Sequence, residues 1–112
     1  MTDREMLELA ARAAGLKEFT EINGRFAVRT RFTGMQDWSP WNPLTDDGDA
    51  LRLAVKLHMS VLSNETASWV ATGLHQIVRA EEHHDGSDPY AATRRAIVRA
   101  AAEIGRQMEV TK

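Results

Sequence analysis

The sequence predicts an α+β fold in which helices cover both faces of one mainly antiparallel sheet of about five strands. Three segments repeat apolar residues at three- and four-residue spacing, the pattern of amphipathic helices. The segments between them hold short β-prone runs bounded by turn-forming residues, which indicate strands. The predicted order is helix, hairpin, helix, meander, helix. Because three helices are more than one face of a small sheet easily holds, we expect a helical layer on each side.

The composition is that of a single α+β domain covering residues 1–112. Hydrophobic residues make up 43% of the chain and charged residues 27%, the balance of a soluble globular protein. Charges interrupt every apolar stretch well before the ~20 residues that a bilayer requires, so no membrane association is expected. The net charge of −2 argues against general nucleic-acid binding, which usually needs an excess of Lys and Arg.

Two further features favour the cytoplasm. The chain has no cysteine, which excludes disulfides, thiolate nucleophiles and sulfur-ligated zinc. Its first residues include acids where a secretory signal would carry a basic region, and no long apolar segment follows them.

The first helix is predicted from Asp3 to Leu16. Thr2 or Asp3 can cap its free amides, and Gly15 can adopt the left-handed conformation that ends a helix. The helical spacing predicts a buried stripe made of Met6, Leu7, Leu9, Ala10, Ala13 and Ala14.

A β-hairpin is predicted next. Its strands are the runs Phe19–Ile22 and Arg25–Phe32, and its turn is Asn23-Gly24, the dipeptide that best tolerates the positive φ angles of a tight hairpin. The following segment, Gly34–Asn42, contains a proline and is followed by another, so it is predicted to be a loop.

The second helix is predicted over Asp46–Leu57, with Thr45 or Asp46 as its cap. Asp47 and Asp49 would complement the positive end of the helix dipole. These aspartates could also suggest a cation site, but the distal glutamate of a calcium loop is absent, so capping explains them more simply. The predicted buried stripe is Leu51, Ala54, Val55 and Leu57 or His58.

An antiparallel meander is predicted between the second and third helices. Its runs are Met59–Leu62, Ala67–Thr72 and His75–Ala80. Gly73-Leu74 is a poor two-residue turn and could instead mark a bulge within one long strand. Trp69, inside the central run, is expected in the core.

The third helix is predicted to begin at Asp88-Pro89, with proline at its preferred first helical position. The residues expected against the sheet are Tyr90, Ile97, Ala101, Ile104 and Met108. The residues expected to face outward are Arg95, Arg99, Glu103 and Arg106.

Two segments carry a resemblance to a known family. They are Trp41–Leu57 and Asp88–Arg99, each a proline-marked, acid-rich helix start. Together they resemble the phage ABA sandwich domain, a family of small bacteriophage and prophage proteins. The resemblance covers about half of the chain and implies an α-β-α sandwich and a bacteriophage origin. It implies no biochemical activity, because none is established for the family.

Histidines and an aspartate cluster before the third helix, at His83, His84 and Asp85. With His58 or His75 they would offer ligands suited to zinc or nickel. Adjacent histidines usually point apart, and no spaced pair of metal-binding histidines accompanies them, so a solvated loop explains the cluster more simply. We therefore expect neither a metal nor a cofactor.

The tryptophans Trp38 and Trp41 are the first candidate binding residues, because aromatic side chains in a loop can contact a nucleobase or a partner protein. They could instead fold back onto the core. Trp41 abuts the cap of the second helix, and we favour burial for it. For Trp38 both interpretations stay open.

The arginines of the third helix are the second candidate. Arg94, Arg95 and Arg99, with Tyr90, could hold a phosphorylated ligand through bidentate hydrogen bonds. A second row on one strand, formed by Arg25, Arg29 and Arg31, could join them. Rows of this kind are more often solvated faces paired with acids.

The sequence favours a non-enzymatic bacteriophage accessory protein that binds a host protein, including a component of host defence. The alternative is a module that binds a small molecule or nucleotide on an arginine-lined surface. A hydrolase has the least support, because no spacing unites nucleophile, base and oxyanion donors. Exposed sheet edges also favour self-association, for instance as a homodimer.

Overall fold

The computed structural model describes residues 1–16, 18–29, 38–73, 77–82 and 88–110, with Val110 described by its backbone alone. These residues form three helices and six strands, and the strands are arranged in two antiparallel sheets. Sheet 1 has the strand order β1-β2-β3, and sheet 2 has the order β4-β5-β6. The elements are α1 (Asp3–Ala13), β1 (Glu18–Ile22), β2 (Arg25–Arg29), β3 (Trp38–Pro40), α2 (Asp47–Lys56), β4 (Met59–Ser63), β5 (Ala67–Thr72), β6 (Ile77–Glu82) and α3 (Pro89–Val110).

The first helix and the hairpin are confirmed with small changes in their bounds. Thr2 caps α1, since its side chain accepts a hydrogen bond of 3.1 Å from the amide of Glu5. Gly15 follows the helix with φ +80°. Asn23 and Gly24 have φ values of 52° and 76°, the left-handed pair that a tight hairpin needs.

The segment predicted as a loop contains a third strand. Trp38, Ser39 and Pro40 pair with β2 in antiparallel register, so the loop prediction is wrong for these residues. Pro40 is compatible with a strand here because β3 lies at the edge of sheet 1, where a missing amide breaks no inner ladder. The rest of the predicted hairpin strand and loop, residues 30–37, lies outside the described residues.

The second helix begins as predicted but buries a different face. Asp46 caps it by accepting a hydrogen bond of 2.8 Å from the amide of Asp49. The side chains buried by α2 are those of Ala50, Leu53 and Ala54. Leu51 and Val55, which were predicted to be buried, are exposed because α2 turns its small residues toward α3.

Sheet 2 is the predicted meander. Antiparallel pairing of β5 with β6 excludes one long strand around Gly73, although residues 74–76 lie outside the described part. Side chains of successive residues alternate between the two faces. Ser68, Val70 and Thr72 are buried on the inner face, toward α3. Trp69 lies on the outer face and is only half-buried, so its assignment to the core is wrong.

The predicted single sheet of about five strands is wrong, because the described strands form two sheets. Sheet 2 packs against α3, whose other side packs against α1. Sheet 1 then packs on α1 through Leu7, Ala11, Phe26 and Val28. Helices therefore lie between two sheets, where a central sheet covered by helices was expected. The coarser α+β prediction is confirmed.

The third helix is buried around most of its circumference along its middle. The buried residues are Ala96, Ile97, Val98, Ala100, Ala101, Ala102, Ile104 and Gly105. Tyr90 and Met108, predicted to be buried, are exposed because they lie near the two ends of the helix. No helix of the described residues has the length and apolar character needed to cross a bilayer.

Candidate functional site

A groove lies between the start of α2, the end of β4 and the first turns of α3. It has a volume of about 770 Å³, and we call it the α2–β4–α3 groove. Its apolar lining comes from Ala50, Leu51, Ala54, Val61, Pro89, Tyr90 and Ile97.

Three large side chains of the groove are exposed to solvent. The exposed fractions are 64% for Leu51, 44% for Val61 and 69% for Tyr90. Each has a local cause: Leu51 lies off the buried stripe of α2, Val61 belongs to an edge strand, and Tyr90 lies in the first turn of α3. The groove thus gathers apolar side chains from three elements without burying them.

The polar end of the groove is a chain of hydroxyl groups. Thr93 donates to the carbonyl of Pro89 at 2.8 Å. Since its one proton is used there, Thr93 accepts from Ser68 at 2.7 Å, and Ser68 accepts from Ser63 at 3.0 Å. The hydroxyls fix β4, β5 and α3 to one another, and their protons are all committed.

Arg94 borders the groove and joins α3 to the start of α2. Its Nε donates to the carbonyl of Leu44 at 2.8 Å, and a terminal nitrogen lies 2.7 Å from Asp47. Asp88 is 4.0 Å away. Only 16% of the Arg94 side chain is exposed. Its donors are directed at the protein itself, so Arg94 holds the helices together.

The other two candidate arginines do not line the groove. Arg95 pairs with Asp3 of α1 at 3.4 Å, and Arg99 pairs with Glu81 of β6. In the second row, Arg29 lies 3.5 Å from Glu18, while Arg31 is outside the described residues. None of the described cavities is lined by arginines of both rows.

The tryptophans lie at sheet 1. Trp41 is half-buried and packs against both apolar clusters of the core, with its ring centroid 5.9 Å from that of Phe26. Trp41 thus packs against the core as predicted, but it is only partly buried. Trp38 is half-buried in β3, where the guanidinium of Arg29 stacks 4.5 Å from its ring centroid. The two tryptophans therefore do not form one aromatic surface with Tyr90.

A second cavity, of about 670 Å³, separates the hairpin from the starts of α1 and α2. Its charged groups are largely paired within the cavity wall. Arg4 lies between Glu8 and Glu21, and a hydrogen bond to Glu8, more than any other interaction, raises the pKa of Arg4 above its ordinary value. Arg52 is 2.7 Å from Asp49. The charged side chains around this cavity therefore bind one another in ion pairs.

The aspartates at the start of α2 are engaged by the protein. Asp49 accepts a hydrogen bond from the amide of Asn42 at 3.0 Å and binds Arg52, which agrees with the capping interpretation. Within the described part of the chain, no three His, Asp or Glu side chains are grouped so that they could hold a metal ion. The predicted cluster His83, His84 and Asp85 lies outside that part.

Sequence reasoning found Tyr90 and Arg94 but missed Leu51 and Val61 as surface residues. One signal was present, because α2 carries two apolar pairs, Leu51 with Val55 and Ala50 with Ala54. A helix that contacts its own protein on one side needs only one such stripe.

Comparison of the chain with protein-family models, curated proteins and solved structures finds no match.

Proposed function

We propose that the protein is a non-enzymatic binding protein, and that the α2–β4–α3 groove receives an apolar segment of a partner protein. The observation that carries the proposal is the convergence of Leu51, Val61 and Tyr90 at one concave surface. Exposed apolar residues scattered singly are ordinary, whereas a contiguous group in a groove is typical of interaction sites.

The polar groups at the groove support binding over catalysis. Its hydroxyls are committed to one another and to a main-chain carbonyl, and Arg94 is bound to the protein's own oxygens. The described lining contains no histidine. Tyr90 is well suited to anchor a partner, because tyrosine combines a large apolar area with a polar tip and has few rotamers.

The charges at the rim indicate the chemistry of the partner segment. Asp47 is already paired with Arg94. Glu65, in the turn after β4, is exposed and makes no ion pair with another described residue. We therefore expect apolar side chains in the bound segment, followed by a Lys or Arg that reaches Glu65.

The resemblance to the phage ABA sandwich domain supports a setting for this activity. In that setting the protein is a bacteriophage or prophage accessory protein in the cytoplasm of a bacterial host. Its partner is then a host protein, including a component of host defence.

The test replaces Tyr90 by the photo-crosslinking residue p-benzoylphenylalanine in host cells. The matched control carries it at Ile22, which is also exposed but lies in sheet 1. A partner should crosslink from position 90 only. The purified partner should then bind Leu51→Asp at least about tenfold more weakly than the wild type, and Ile22→Asp with unchanged affinity, because a charge in an apolar groove loses its hydration.

Three results would count against the proposal. A protein captured equally from both positions is not recognised by the groove. An affinity that Leu51→Asp leaves unchanged places the contact elsewhere. A crosslink that joins only copies of this chain would assign the groove to self-association.

The arginine-lined alternative stays a prediction with less support. Arg94, Arg95 and Arg99 each face a carboxylate of the protein, which a phosphorylated ligand would have to displace.

A further inference from the structure

The four sheet edges differ in how they are protected from pairing with another chain. At the edges of sheet 1, β1 carries Glu18 and Glu21, and β3 contains Pro40. In sheet 2, the edge strand β6 carries Arg79 and two glutamates. Charges and prolines at edges are the usual devices that prevent strand addition. The fourth edge, β4, has the sequence Met-Ser-Val-Leu-Ser and contains neither.

Along its open side, the main chain of β4 has hydrogen-bonding groups that no described residue pairs with. The amide of Asn64 donates to the carbonyl of Ala67 across the ladder, at 2.9 Å. Because bonded and non-bonded pairs alternate in an antiparallel ladder, Ser60 and Leu62 direct their main-chain groups toward β5. Met59, Val61 and Ser63 direct theirs outward. Among the described residues, β4 pairs with β5 alone.

We propose that β4 pairs antiparallel with β4 of a second copy of this chain, which joins the two copies of sheet 2 into one sheet of six strands. This inference goes beyond the proposed function and does not rest on it, since the contact is made by main-chain groups of β4, whose side chains Val61 and Ser63 also line the groove.

A second copy fits this edge because the edge is complementary to itself. Antiparallel pairing about a two-fold axis at Val61 places Val61 opposite its own copy and Met59 opposite Ser63 of the other chain. In this register all three outward-facing residues find main-chain partners. No charged residues meet across this axis.

Flanking side chains supply the apolar area that an edge contact lacks. A stable dimer buries roughly 800 Å² on each partner, more than one short strand can provide. Leu51 is exposed on α2 and lines the groove with Val61 on the inner face of β4, and Leu62 is exposed on the outer face of β4. When the sheet continues across the two-fold axis, its two faces also continue. Leu51 of one chain then lies on the same side of the joint sheet as Leu51 of the other chain, and the two Leu62 side chains share the opposite side.

The test introduces single cysteines into a chain that has none. In the paired edge the two Val61 Cα atoms would be about 5.5 Å apart, within the range of a disulfide. Val61→Cys should therefore form a covalent dimer on mild oxidation. The matched control is Val78→Cys, which is exposed on the charged edge strand β6 and should stay monomeric. The wild type should sediment at twice the monomer mass.

A second variant, Val61→Pro, removes only the amide that faces the open edge. It should weaken the dimer at least about tenfold, because the hydrogen bonds at the axis are lost, while leaving the far-ultraviolet circular dichroism unchanged. Tyr90→Ala should leave the dimer intact, which separates this inference from the groove. A wild type that sediments as a monomer, or equal crosslinking from positions 61 and 78, would overturn the inference.

Discussion

The helices α2 and α3 are neighbours with opposite relations to the rest of the protein. The middle of α3 is buried between sheet 2 and α1, and its side chains there are small or apolar except for Arg99 and Glu103. α2 buries only Ala50, Leu53 and Ala54, and exposes Leu51 and Val55. Apolar surface in α3 thus stabilises the fold, while the surplus apolar surface of α2 stays exposed.

The largest effect that would test this comparison is expected at Ile104, which is 1% exposed in α3. Ile104→Ala should lower the free energy of unfolding by about 2–5 kcal/mol, because it removes buried methyl groups and leaves a cavity. Leu51→Ala in α2 should lower it by less than about 0.5 kcal/mol. Urea denaturation of the two variants measures both values. Similar losses would mean that α2 is packed as closely as α3.

A second effect is expected at Gly105, where α3 touches α1. A Cβ built on Gly105 would overlap the main-chain oxygen of Leu9, and a main-chain atom cannot give way as the end of a flexible side chain can. Gly105→Ala should therefore destabilise the protein by about 1–3 kcal/mol, although alanine normally favours a helix. Gly73→Ala is the control, since that position has open space. Thermal unfolding distinguishes them, and a stabilised Gly105→Ala would show that the helices can separate freely.

The smallest of the three effects concerns the connection between the two helices. Arg94→Met should lower the free energy of unfolding by about 1–2 kcal/mol, because the carbonyl of Leu44 loses its charged donor. Arg99→Met should lower it by less than about 1 kcal/mol, since its ion pair with Glu81 is more exposed. Denaturant titration at neutral pH gives both. If Arg99 proved the more important residue, the link between α2 and α3 would not depend on Arg94.

Local signals predicted the elements well. Thr2, Asp46 and Asn23-Gly24 act as the caps and the turn that their chemistry predicts, because each forms bonds within a few residues of itself. Trp41 was also predicted correctly, since its position next to the α2 cap restricts where its ring can lie. The short strand at Trp38 was missed because its pairing with β2 is not encoded nearby in the chain.

The candidate site was predicted only in part. Tyr90 and Arg94 were singled out, but for a phosphorylated ligand, and Arg94 turned out to bind Leu44 and Asp47. Leu51 and Val61 were missed, because an apolar residue in a helix or strand is normally assigned to the core. Whether such a residue is covered depends on a neighbouring element.

The sequence by itself determined the α+β class, the order of the three helices, the hairpin and the meander, and the helix caps, because these follow from periodicity and from bonds between residues close in the chain. Only the tertiary structure decided that the strands form two sheets, that α3 is enclosed and that the β4 edge and the groove beside it stay open. The physical reason is that burial and strand pairing join residues far apart in sequence, and the same apolar stripe can meet a sheet, a helix or solvent.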